Sequence, residues 1–305
     1  MKDKYCLLTN DVETTSIWHN SLRDETGFKV LKEGMPMLLD TFEKYNILST
    51  FFFTGYIAKL YPEIVKMVIP FGHEVASHGL SHKKEHGFDI MSFDQQLNHL
   101  IVSKKILEDI SGQEVISFRS PALRVNSDTA IALAEAGYKI DSSIASQRFD
   151  FFMSIGGSNK LKWLTAPRLP YLTKTDDLFK KGDGIIREIP ISATILPYVG
   201  TTMRIFPYFT MLQRKLLNIE TTINKKPIVF LFHPNEVINE KCEYKNIDYI
   251  GGNYFQHLLQ DIIRSKLKEK NLGKNALCLF EQQIDFFLKR DYKFMSLKDY
   301  NNKFI

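Results

Sequence analysis

Cysteine is scarce in this chain: Cys6, Cys242 and Cys278 are far apart and odd in number. They form no disulfide framework and no paired zinc-knuckle spacing, which points to a reducing compartment. The N-terminus, MKDKYCLLTND, lacks the apolar core and small-residue cleavage site of an export signal, so a cytoplasmic protein is expected. No uninterrupted apolar run is long enough to cross a bilayer. The most apolar later stretch, Ile189–Leu212, is broken by Pro190, Pro197, Arg204 and Pro207. That stretch leaves contact with a membrane surface or a lipid-linked substrate open. Neither sign of charge dominates, with 40 basic against 35 acidic residues, and Lys-rich runs such as Lys266–Lys270 are interrupted by acids. Nucleic-acid binding is therefore not implied. There is no Gly-x-Ser-x-Gly elbow for a serine nucleophile, no His-x-His opening, no internal repeat and no linker. A single domain over residues 1–305 is the simplest expectation.

What the chain does have is a β-α alternation. Short apolar runs at Tyr5–Asn10, Ser49–Thr54, His73–Ser77, Val115–Arg119, Lys139–Ser142, Arg187–Ile191 and Ile228–His233 read as strands. Between them lie helical patterns at Met35–Tyr45, Pro62–Val68, Phe93–Ile110 (with Ser92 as N-cap) and Ser127–Ala136. The alternation predicts an α/β fold: a parallel sheet closed or nearly closed into a distorted barrel of seven or eight strands, helices outside. Two long connections, Ala145–Gly184 and Glu236–Gly252, break the rhythm and are of a length that often covers a site.

Chemically capable residues fall at the ends of these runs. Asp11 and Glu13 follow the first, and His78 and His82 sit four apart after the third. Arg119 ends the fourth, Asp141 lies in the fifth, and His233 ends the last. In a parallel barrel the carboxyl ends of strands share one rim, so these groups converge there. Two imidazoles at that spacing can close on one divalent ion, and a zinc site built for catalysis takes three protein ligands. Asp11 and Glu13 point to the same face of an extended strand and Val12 to the other, so both carboxylates reach the rim. His73, inside its strand, reads as a core histidine, and His86 and His99 as surface or helix residues.

TNDVE at Thr9–Glu13, HGLSH at His78–His82, FRSP at Phe118–Pro121, DSS at Asp141–Ser143 and LFHP at Leu231–Pro234 occur in a telling order. That ordered set resembles the polysaccharide deacetylases, carbohydrate esterase family four, from Tyr5 to about Pro234. The resemblance implies a metal-dependent deacetylase acting on an N-acetylated saccharide, with one divalent metal, zinc by preference. It implies metal ligation by His78 and His82, with Glu13 as third ligand and Asp11 as the alternative. Asp11 would be the base, Arg119 its holder, His233 the acid and Asp141 the support of His233. Ala122 would offer its N–H to the oxyanion, Leu231 would line the acetyl pocket, and Trp18 and His19 would touch substrate. The chain departs from the commoner pattern at Val12, where the family more often has a second aspartate, and at Ala122-Leu123 after the RxP segment. Without an export-like N-terminus, a surface-glycan precursor is the expected substrate. Hydrolysis of a non-sugar C–N bond and a non-catalytic glycan-binding relative are the alternatives.

Overall fold

The computed structural model describes residues 3–148, 158–240 and 264–304. Cys242, residues 149–157 of the first long connection and the second connection from 241 onward lie outside them. The strands, in chain order, are β1 (Lys4–Val12), β2 (Thr15–Ser16), β3 (Ser21–Leu22), β4 (Ser49–Phe53), β5 (Glu74–Ser77) and β6 (Ser117–Phe118). They continue with β7 (Ile140–Asp141), β8 (Tyr171–Lys174), β9 (Asp177–Lys181), β10 (Arg187–Glu188), β11 (Ile228–Phe232) and β12 (Tyr292–Phe294).

The sheet runs in the order β11-β1-β4-β5-β6-β7-β10, every neighbouring pair parallel, and then turns antiparallel into β8 and β9. Those seven parallel strands are the seven runs read from the sequence. The sheet is curled, and residues after β10 span its open side. Ile191 N donates to Ile144 O, Ser192 N donates to Val229 O, and Val199 bridges Leu231. This is a distorted barrel joined by isolated contacts instead of a full ladder. β12 lies against the start of β1, in line with β4.

β1 and β4 are buried almost throughout, as strands covered on both faces must be. The pleat sorts β1: Val12 packs into the hydrophobic core, while Thr9 and Asp11 face inward towards Arg119. Val12 in the first motif is thus core packing on the opposite face, and Glu13 falls back onto the side of Asp11. Helix Phe93–Ser111 starts at Ser92 through a reciprocal capping box with Gln95, as the sequence indicates. Helix Thr129–Glu135 starts later than expected, with Asp128 at the cap position and no side-chain cap bond. The first long connection holds the β8–β9 hairpin, and the Ile189–Leu212 stretch resolves into irregular chain, a short helix Gly200–Ile205 and the start of helix Pro207–Asn224.

Candidate active site

At the carboxyl end of β1, Asp11 is 3% exposed and gripped by a guanidinium that is itself fully buried. Arg119 Nη1 donates to Asp11 Oδ1 at 2.9 Å and to Thr9 Oγ1 at 2.8 Å. Its other edge donates to Ser142 O and Ser142 Oγ, and its plane lies 4.3 Å over the Phe52 ring. A fork of donors spanning three strands fixes the carboxylate's orientation. Asp11 Oδ2 then faces two imidazoles, His78 Nε2 at 3.7 Å and His233 Nε2 at 4.0 Å. Burial pushes the Asp11 carboxyl up, but Arg119, His78 and His233 together outweigh it, and the carboxyl is held below its ordinary value.

The histidine pair sits on a loop, not a helix. His78 N still donates to Phe53 O, extending the β4–β5 ladder by one residue. Gly79 then turns at φ +68°, where Phe88 and Pro121 already lie within 3.5 Å of the place a Cβ would take. That turn returns His82 to within 5.6 Å, ring to ring, of His78. His78 Nδ1 bonds the Arg119 carbonyl at 2.8 Å, which fixes the ring with Nε2 towards the site. Burial holds the His78 pKa down, so the ring is neutral, the form a metal ligand needs.

Ligand atoms of Glu13, His78 and His82 all lie within 4.8 Å of one another. Glu13 Oε2 is 3.2 Å from His82 Nε2, yet it is buried and has no hydrogen-bond partner. A buried carboxylate oxygen left in that state beside two imidazoles fits a divalent cation, and two nitrogens with one oxygen suit zinc. Asp11, Glu13 and His78 form the floor, whereas His82 and His233 are 23% and 22% exposed and frame the mouth.

His233 has a different acidic partner from the one expected. Its Nδ1 lies 3.8 Å from Glu236 Oε1, and Glu236 is fully buried, held by Thr201 Oγ1 at 3.0 Å and Arg204 Nη2 at 3.4 Å. Burial lowers the His233 pKa, but the hydrogen bond and charge of Glu236, with Asp11 and Glu13, raise it above the ordinary value. Asp141 belongs elsewhere. It accepts from Ser143 and pairs with Glu188, and burial raises both acids, Glu188 the more strongly. Asp141, expected to support His233, thus lies with Ser143 and Glu188, and the acid flanking the imidazole is Glu236. Sequence reasoning missed Glu236, although a signal was present. Pro234 opens a one-turn 3-10 helix, Pro234–Glu236, and an acid three residues after His233 comes back onto its face.

Gly200 leaves the room for this pair. A Cβ there would stand 1.8 Å from Glu236 Oε2 and 2.5 Å from Phe232 Cδ2. Gly200→Ala and Glu236→Gln are both expected to lower the His233 pKa by removing or displacing the carboxylate. The alkaline limb of the pH–rate profile should move to lower pH, with the loss, about tenfold or more, concentrated on the alkaline side. A uniform loss at all pH values would point to misfolding instead.

The remaining expected residues sit around this centre. Ala122 and Leu123 both adopt left-handed backbone, φ 53° and 56°, which non-glycine residues hold at a cost and chiefly at functional sites. Trp18 and His19 lie in the turn of the β2–β3 hairpin, Trp18 half-buried and His19 buried. That hairpin is pinned to the chain after β11, because Glu240 accepts from Ser16 and Thr26 and Asn235 Nδ2 donates to Thr15 O. Leu231 is buried in β11 opposite Thr9. His73 is a core histidine as read. It lies among Phe42, Phe51 and Phe71, and burial drives its pKa down to about 4.

Residues 10–140 match the polysaccharide deacetylase family model. The peptidoglycan deacetylase of Helicobacter pylori is 29% identical over 156 residues, 48% of this chain and 52% of that protein. The chain thus spans about half the length of that curated relative. Among solved structures, a Mycobacterium smegmatis protein named as a polysaccharide deacetylase superposes with a TM-score of 0.56 at 23% identity, covering 77% of this chain and 78% of the other. The PuuE allantoinase superposes with a TM-score of 0.60 at 14% identity, covering 97% and 88%. At such identities the likeness is one of fold.

Proposed function

We propose, from the match of residues 10–140 to the polysaccharide deacetylase family model, that the protein hydrolyses the acetamide of an N-acetylated sugar, releasing acetate and the free amine. The observation that carries this reading is the placement of Asp11. One carboxylate oxygen is tied to Arg119, and the other faces both His78, beside the Glu13–His78–His82 cluster, and His233. Glu13, His78 and His82 would hold one divalent ion, zinc by preference, whose bound form supplies Lewis acidity to the carbonyl and acidifies a water.

The chain's own groups do the rest. Asp11, ionised across the neutral range, accepts the proton of the attacking water. The C–N bond breaks as His233, kept protonated by Glu236, gives its proton to the leaving nitrogen. Arg119 does not touch substrate in this scheme; it holds Asp11 in line. The Ala122 N–H would stabilise the oxyanion, with Leu231 against the acetyl methyl and Trp18 and His19 contacting the sugar.

The substrate in this reading is a surface-glycan precursor met in the cytoplasm. The compartment is supported by Cys6 and Cys278 being free thiols. The test is acetate release from N-acetylglucosamine oligosaccharides and from precursor sugars, run beside small cyclic amides and ureides. Acetate from the sugars is the expected result. Turnover of the small amides alone would replace this reading with non-sugar C–N hydrolysis, and glycan binding without acetate would replace it with a non-catalytic role.

A further inference from the structure

Helix Pro207–Asn224 is built inside out. Its buried face carries Thr210, Gln213, Arg214 and Thr221 beside a single apolar residue, Leu217. Each of those polar side chains is tied to a backbone carbonyl, although Gln213 Oε1 and Arg214 Nε have no partner. Gln213 donates to Leu196 O, Arg214 to Gln282 O, and the two threonines to Phe206 O and Lys226 O. The outward face carries Tyr208, Met211, Leu212, Leu216, Ile219 and Ile223, all exposed, with Tyr208 at 85% and Ile223 at 77%. Their three-to-four-residue spacing puts them on one stripe along a helix about 27 Å long. A soluble helix normally buries such a stripe, so its exposure marks a surface with an apolar partner.

The charges on the stripe narrow the partner. Lys215 lies exposed within the stripe and Lys225 at its end. The helix's one acid, Glu220, is bound to Arg168 at 2.6 Å and lies 3.6 Å from Lys226. The outward face is therefore apolar and cationic, with no free acid. A second copy of the chain fits poorly. Lys215 stands at the midpoint of the helix, so a parallel two-fold pairing of this face, or an antiparallel one that overlaps the whole helix, would set Lys215 against its own copy. An anionic lipid surface suits the pattern, with apolar side chains entering the acyl boundary and the lysines reaching phosphates. Tyr208 has the apolar body and polar tip that favour that boundary. The helix also continues directly from Gly200–Ile205, whose Thr201 and Arg204 hold Glu236 beside His233.

We infer that the outward face of helix Pro207–Asn224 docks the protein reversibly on an anionic lipid surface. Its service to a lipid-linked precursor rests on the functional reading above; the docking itself does not. The test is vesicle flotation with the full chain, using phosphatidylcholine vesicles with and without phosphatidylglycerol. The variants are Leu216→Gln/Ile219→Gln and Lys215→Glu, with melting curves to establish that each is folded. Wild type should float with the phosphatidylglycerol vesicles. The double variant should lose at least about tenfold in partitioning, since each buried apolar side chain contributes roughly that much. Lys215→Glu should weaken binding to anionic vesicles alone. Acetate release from a soluble oligosaccharide should be unchanged in both, so failure of the docking and failure of the hydrolase reading are separable. Absence of wild-type flotation, or flotation indifferent to the double variant, overturns the inference. A concentration-dependent dimer dissolved by the double variant, without vesicle binding, overturns it in favour of self-association.

Discussion

Asp11→Asn should lower acetate release about a thousandfold, within the 10²–10⁴ that a positioned proton-transfer group contributes. The amide keeps the shape of the carboxylate and an oxygen for Arg119, so folding should survive, but it cannot accept the proton of the attacking water. Glu13, His78 and His82 are untouched, so metal content should be unchanged. Metal retained with turnover lost separates a base from a ligand. If Asp11→Asn instead lost its metal, Asp11 would be the third ligand and the base would have to be sought elsewhere. A fully active variant would contradict the mechanism outright.

Arg119→Leu should cost about 3–5 kcal/mol of stability, because it strands the buried Asp11 charge without its partner. It also frees Thr9 Oγ1, Ser142 O and Ser142 Oγ from their shared donor. For a chain of this length the loss should appear as a fall of about 10 °C in Tm. Arg119→Lys should recover only part of it, since one ammonium cannot serve Asp11 on one edge and Ser142 on the other. The pH dependence has a definite sign. The Asp11 pKa is lowered in the folded state, so its contribution is present above the unfolded value, about 3.9, and is lost as pH falls through the folded value. Without Arg119 that contribution goes. The gap between wild type and Arg119→Leu should be widest near neutrality and narrow in acid, and thermal melts across pH measure it.

The barrel was legible in the sequence because each parallel strand is buried on both faces and announces itself as an apolar run. Six of the seven rim residues come together for the same reason: each follows or ends such a run. Asp141 was expected at His233 from its place in the order, whereas the acid it pairs with, Glu188, lies on the neighbouring strand β10. Glu236 was missed because its importance comes from a 3-10 turn and from Gly200 and Arg204, distant in the chain and invisible to local pattern. The inverted helix Pro207–Asn224 escaped notice because apolar spacing cannot tell which face the protein covers. The β8–β9 hairpin, with short strands in which buried and exposed residues are equally many, gave little apolar signal.

The most direct measurement is elemental analysis of protein purified without added metal, comparing wild type with His78→Ala/His82→Ala. The account predicts close to one divalent ion per chain in the wild type and none in the double variant, with acetate release lost alongside the metal. Wild-type protein that takes up no ion even when zinc is supplied, or a double variant that binds and turns over as well as wild type, would contradict it.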